Sequence, residues 1–250
     1  MTSMPPYPAL LDQIDERATA FREAVTAAGL TAPVPGCPEW TVRDLTAHLG
    51  RVHRFWAATV AAGPADGPPS AEAIGDTTPQ PDLLAWSAES THLLMEALRS
   101  APPDRDCWTW WGASEAPMTV AAVARHQAQE AAVHTYDAQE AAGKAEPLPA
   151  AIAVDAISEF LVASLGSLGP WPHRPARIAL SAVEGPTWLV DLTPAGAKAN
   201  PAPSGDPLAT IHASASDLLL LLYGRIPTDA VVIKGDSSAV AELLAWTDND

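Results

Sequence analysis

The chain has 250 residues, 48% of them hydrophobic and 18% charged, the balance of a globular protein with core enough for one large domain or two modest ones. Its 30 acidic and 14 basic residues leave a net charge of -16 without a lysine or arginine cluster, so nucleic acid and anionic membranes are repelled and the expected partner is a small molecule or another protein. Cys37 and Cys107 suit neither a disulfide framework nor a metal knuckle, the apolar run Leu218 to Tyr223 is too short to cross a bilayer, and the N-terminus has no signal-like pattern, so the expected location is cytoplasmic.

The spacing of Leu10, Leu11, Ile14, Ala18, Phe21 and Val25 predicts a first helix over Pro8 to Leu30, stopping at Gly29. The proline-rich segment Pro33 to Trp40 reads as a loop ending in a tryptophan. Thr41 and Asp44 form a capping-box pattern at the start of a second helix that runs to about Ala62. On that helix His48 shares a face with Leu45, Val52 and Trp56 and is expected to point inward, whereas His53, about 140° round the wheel, is expected to be exposed. Gly63 to Pro81 reads as a long loop, Leu83 to Leu98 as a third helix, and Pro102 to Pro117 as a second loop whose Trp108, Trp110 and Trp111 could wall a pocket.

A fourth helix is predicted from the N-cap Thr119 to the stop at Gly143. His126, Glu130, His134 and Asp137 follow at steps of four, four and three and share one face. Such a stripe is more often a solvated face than a metal site. A Glu and a His one turn apart, however, are separated by about 6 Å of rise and can converge on one ion, while the two histidines, about 12 Å apart, cannot. Asp137 lies where it could hold the second nitrogen of His134, which favours the pair Glu130 and His134, and an inward His48 would be the third ligand. Residues 1–145 are therefore expected to form an antiparallel four-helix bundle with its site on facing helices.

Beyond Lys144 to Pro149 the texture changes. A helix over Ala150 to Leu165 precedes strands at Arg177 to Val183 and Pro186 to Leu192, a strand at Ala209 to Ala213, a helix at Ser214 to Tyr223 ending at Gly224-Arg225, a strand at Ala230 to Lys234 and a closing helix at Ser237 to Trp246. Residues 146–250 are expected to be a small α+β domain with an antiparallel sheet and no nucleotide fingerprint.

The segment Cys37-Pro-Glu-Trp-Thr-Val-Arg-Asp-Leu-Thr-Ala-His48-Leu-Gly, the run from Arg125 through Glu130 to His134 and Asp137, and the pairs Gly224-Arg225 and Gly235-Asp236 together resemble the mycothiol-dependent maleylpyruvate isomerase family of actinobacteria, whose helical domain is DinB-like. The resemblance covers both domains. It implies that His48, Glu130 and His134 bind a divalent metal, usually taken as zinc, and that Arg225 faces the active site as a candidate to receive a substrate carboxylate. Two positions depart from the common pattern: Gln129 precedes Glu130, and Thr135 follows the second histidine. Neither is a ligand.

Three protein ligands leave a zinc with one open position, the arrangement of a catalytic site. The chemistry implied is a low-molecular-weight thiol, mycothiol, acting as a metal-activated nucleophile. In an isomerase the thiolate adds to an activated double bond, the resulting single bond rotates and elimination returns the trans acid; in an S-transferase the adduct is kept. Arg225 would orient a carboxylate or merely balance a helix end, and His126 would relay protons or stand exposed. The alternative is a DinB-like binding or regulatory module with a structural metal or none. Monomer and homodimer are both open.

Overall fold

The computed structural model describes residues 4–199 and 205–247. They form an α+β chain that groups into two compact units, one containing residues 4–110 and 117–146, the other Trp111–Ala116 and the chain from Pro147 on.

The helical unit begins with α1 (Tyr7–Ala28), whose Leu10, Ile14, Ala18, Phe21 and Val25 form the buried stripe that the spacing predicts. The proline-rich stretch after it is a hairpin, β1 (Pro33–Val34) with β2 (Cys37–Thr41), where a loop was expected. Proline does not forbid this, because Pro33 opens an edge strand and Pro35-Gly36 forms the turn, while the buried Val34 anchors the hairpin on Phe21, Val25, Val42, Leu45 and Leu49. The chain then enters α2 (Val42–Ala62) through a complete capping box between Thr41 and Asp44. The connection that follows carries a one-turn helix, α3 (Ala71–Ile74), and leads into α4 (Leu83–Ser100), capped by Asp82. The last bundle helix is α5 (Val120–Ala141), capped by Thr119 at one end. At its other end the amides of Gly143 and Lys144 close on the carbonyls of Glu140 and Gln139, a Schellman motif that needs the positive φ of Gly143.

Contacts fix the helix order round the bundle as α1, α5, α2, α4. The pairs α1 with α2 and α4 with α5 are antiparallel, since α1 hands over to α2 through the hairpin and α4 to α5 through Arg105 and Pro103. The long 63–82 connection carries the chain back along the bundle, so α2 and α4 run parallel, with Gly50 on Trp86 and Arg54 bonded to Glu89 and Ser90. By the same logic α1 and α5 run parallel, Arg17 meeting Thr135. The bundle is therefore up-down-down-up.

His53 corrects its expected exposure. It is 1% exposed, because α2 is packed on two sides and His53 looks at α4. Thr91 Oγ1 donates to the Ser87 carbonyl and lies 3.2 Å from His53 Nδ1, so the imidazole donates there and stays neutral. Burial, reinforced by the charges of Arg22, His134 and His48 over the opposing Glu130, pushes its pKa down to about 3. The unfolded chain binds a proton that the folded one refuses, so the stability carried by neutral His53 is whole above its ordinary value of 6.5 and is lost progressively as the pH falls below it. Urea unfolding of the metal-free protein is expected to show this loss from about pH 6.5 downward, and His53→Gln is expected to flatten it; an equal slope in the variant would reject the assignment.

The second unit starts with α6 (Ala150–Val162), which packs on a later helix and buries Asp155 and Glu159. The window Ala150–Ser167 is apolar and long enough to meet the length and composition of a membrane span, the one such window among the described residues. The α-helix itself stops at Val162 after roughly 20 Å, short of the roughly 30 Å of a bilayer core, and most of the window is buried in the protein. Strands β3 (Ala176–Ala182), β4 (Thr187–Thr193), β5 (Gly196–Ala199) and β6 (Ala209–Ala213), then α7 (Ala215–Leu222), β7 (Val232–Gly235) and α8 (Ser237–Thr247) complete the unit. The sheet order is β5-β4-β3-β6-β7. Its strands are antiparallel, as expected, except β3 with β6, which pair in parallel because the chain leaves β5 and returns on the far side of β3. Trp188, Val190 and Leu192 alternate toward the core, and Trp188 donates to Ser158 on α6.

Candidate metal centre

The stripe on α5 meets α2 where the two helices run antiparallel. There His48, Glu130 and His134 come together, with one possible ligand atom from each lying within 4.8 Å of the others. Glu130 Oε1 is 3.4 Å from His48 Nε2 and 3.2 Å from His134 Nε2. Two donors each about 2.0–2.1 Å from a tetrahedral ion stand about 3.3 Å apart, so the two pairs that share Glu130 Oε1 have the spacing of ligands to a zinc-like cation. Glu130 and His134 converge because they are one turn apart on α5. His48 reaches them because the capping box sets the start, and so the phase, of α2.

Each ligand has its own support. His134 Nδ1 donates to Asp137 Oδ2 at 2.8 Å, and Asp137 is fully buried one turn further along α5. That bond fixes the tautomer that leaves Nε2 for the centre. His48 has an aromatic support instead: the ring of Trp40, at the end of the hairpin, lies 4.8 Å from its own. The sequence marks Trp40 only as the end of a loop. Its place against His48 depends on the hairpin, which no local pattern announces.

The electrostatics suit a cation. Burial works to raise the Glu130 pKa, but the hydrogen bonds from His134 and His48 and the nearby imidazoles outweigh it and hold the carboxyl well below the ordinary value. Burial works to lower His134, yet its bonds to Asp137 and Glu130 hold it up at about 9. A pocket that keeps a proton so firmly is one in which a divalent ion can replace it. The cluster is also open on one side, with the His48 side chain 32% exposed and that of Glu130 19%.

His126 is not a member of the three-residue cluster. His126 is one turn before Glu130 but is buried, edge-on to Trp56 and Trp110, and so is not the exposed residue that was one of its two readings. One indole from the second loop and one from α2 meet it, which the period of α5 alone could not reveal. Arg225 belongs to the second unit, half-buried just past the end of α7, where it donates to the Tyr223 carbonyl at 2.7 Å. The three loop tryptophans do not form one wall. Trp108 joins Phe55 and Trp56, Trp110 meets His126, and Trp111 is buried and groups with the second unit.

Residues 11–139, which contain the whole cluster, match the model of the mycothiol maleylpyruvate isomerase N-terminal domain. The chain belongs to the mycothiol maleylpyruvate isomerase family. Residues 151–242 match the corresponding C-terminal domain of that family. Among solved structures, the chain is similar to crystal structures of the mycothiol-dependent maleylpyruvate isomerase, with a TM-score of 0.63, and of a histidine-to-alanine variant of it, with a TM-score of 0.65; each is 16% identical and is covered over 96% of its length by 94% of this chain. At that identity the likeness is one of fold. No curated protein matches the chain in sequence.

Proposed function

We infer that this member of the family is a metal-dependent thiol enzyme of the cytoplasm, in which His48, Glu130 and His134 hold a divalent metal, zinc being the ion that suits the two-imidazole, one-carboxylate donor set, and mycothiol is the thiol. The observation that carries this reading is the half-open convergence of three donors from two helices. A structural metal would favour a closed set, and the exposure of His48 and Glu130 therefore supports catalysis over a purely architectural role. When bound, such an ion favours the thiolate of a thiol that reaches it.

The residues of the chain supply the remainder. Asp137 orients His134 through Nδ1, and the low pKa of Glu130 keeps its carboxylate available across the physiological range. Arg225 is assigned to a substrate carboxylate by a charge-assisted, two-pronged contact. His126, buried between indoles, is assigned a proton-holding role next to the centre. The reaction is thiol addition to the conjugated double bond of a maleylpyruvate-like acid followed by elimination to the trans acid; S-transfer to an electrophile is the related outcome in which elimination does not follow.

Cobalt substitution tests the reading. The cobalt-loaded protein is expected to show d–d bands, and a thiol is expected to add a sulfur-to-cobalt charge-transfer band in the near ultraviolet. Bands that ignore thiol would mean a closed, structural site, and a protein that takes up no cobalt would remove the metal centre altogether.

A further inference from the structure

Phe55 and Trp56 on α2, Trp108 and Trp110 on the connection before α5, and His126 on α5 form one continuous aromatic group. Trp56 stacks on Trp108 with ring centres 6.4 Å apart, Phe55 meets both edge-on, and His126 lies edge-on to Trp56 at 5.8 Å and to Trp110 at 5.6 Å. His126 precedes Glu130 by one helical turn, so the group continues the metal-ligand face of α5 by about 6 Å. Trp56 and His126 are buried, but Trp108 is only partly covered and Trp110 is 43% exposed. Packing accounts for the buried members. Trp110 keeps 43% of its surface exposed while its ring meets His126, the residue one turn before Glu130.

The group presents flat apolar faces and has no guanidinium or ammonium of its own. A short conjugated acid consists mostly of carboxylate and carbonyl and gains little from such faces. A cyclic polyol gains more, because one face of its ring is a sheet of C–H bonds that stacks on an indole. Mycothiol carries its cysteinyl thiol on two such rings. We propose that Trp110, backed by Trp56, Trp108 and His126, is a stacking subsite for the ring portion of the thiol co-substrate, separate from the centre that takes its sulfur. The subsite rests on the reading of that centre as a thiol site.

The test compares two thiols on the metal-loaded protein by isothermal titration: mycothiol, and N-acetylcysteine, which has the same reacting end without the rings. The parent is expected to bind mycothiol at least about tenfold more tightly. Trp110→Ala is expected to weaken mycothiol about tenfold while leaving N-acetylcysteine and metal content unchanged, and Trp110→Phe to restore most of the loss. Because Trp110 is 43% exposed and no part of the buried core, the variants should fold, and circular dichroism with metal analysis checks this. Equal weakening of both thiols, or none, overturns the subsite while leaving the thiol centre standing. A parent that binds neither thiol overturns both.

Discussion

Glu130→Ala is expected to take the metal content of the purified protein from about one equivalent to none and to abolish thiol-dependent turnover, with the helical circular dichroism unchanged. Glu130 is the hinge of the donor set: its Oε1 is the atom that both imidazoles approach, and without it the two nitrogens face each other over a gap with no anion. The loss in metal affinity should exceed about a thousandfold, since a site reduced to two neutral donors loses both a ligand and the charge that draws a cation in. Glu130→Gln separates a ligand from a mere spacer, because the amide keeps the shape and can still accept a hydrogen bond but has no charge; it too is expected to lose the metal. Asp137→Asn should be milder, weakening metal by about 10–100-fold, because it perturbs the orientation of His134 and removes nothing from the donor set. Elemental analysis of protein prepared without an affinity metal, with competition by a chelator, measures all three. A Glu130→Ala protein that still holds a full equivalent would place the metal elsewhere.

The second large effect lies behind the site. Gly50 is two residues from His48 on α2, and a Cβ there would fall 2.0 Å from an atom of the Trp86 ring on α4. Trp86 is 97% buried by its 3% exposure and pinned by Arg54 over its face, so it cannot swing aside as a surface chain would. Helix propensity favours alanine over glycine by about 1 kcal/mol, but overpacking against a fixed ring costs more, and Gly50→Ala is expected to destabilise the protein by about 3 kcal/mol net. For a chain of this size that corresponds to a fall in Tm of roughly 6–12 °C, measurable by calorimetry. A variant as stable as the parent, or more so, would mean that α2 and α4 do not approach as closely as described.

The elements with a local signature were legible in the sequence. Thr41 with Asp44 and Thr119 announce the starts of α2 and α5 because an N-cap is chemistry within one turn, and the stripe of Glu130, His134 and Asp137 is visible because the helical period does not depend on what packs against it. What could not be read depends on partners distant in the chain. A helical wheel cannot say that α2 is covered on two sides, so the burial of His53 was missed, and the period of α5 cannot say that an indole from a loop meets His126. The hairpin was hidden by its prolines, and Trp40 with it. In β5, Gly196-Ala-Lys-Ala has no alternation of large apolar residues, and the parallel pairing of β3 with β6 is settled by where the chain crosses rather than by either strand.

The order of helices round the bundle also governs when, during synthesis, the cluster can assemble. His48 and Glu130 are 82 residues apart, and the bond that fastens α5 to α1 spans 118. While the ribosome has delivered only α1, α2 and α4, the groove that α5 will fill lies open, with Phe21, Val25, Leu45 and Leu49 along it and His48 without its two partners. Early helices can form, but no donor set exists to capture an ion until α5 has emerged. On the proposed reading of the cluster, metal uptake would therefore be a late event that waits for the completed bundle.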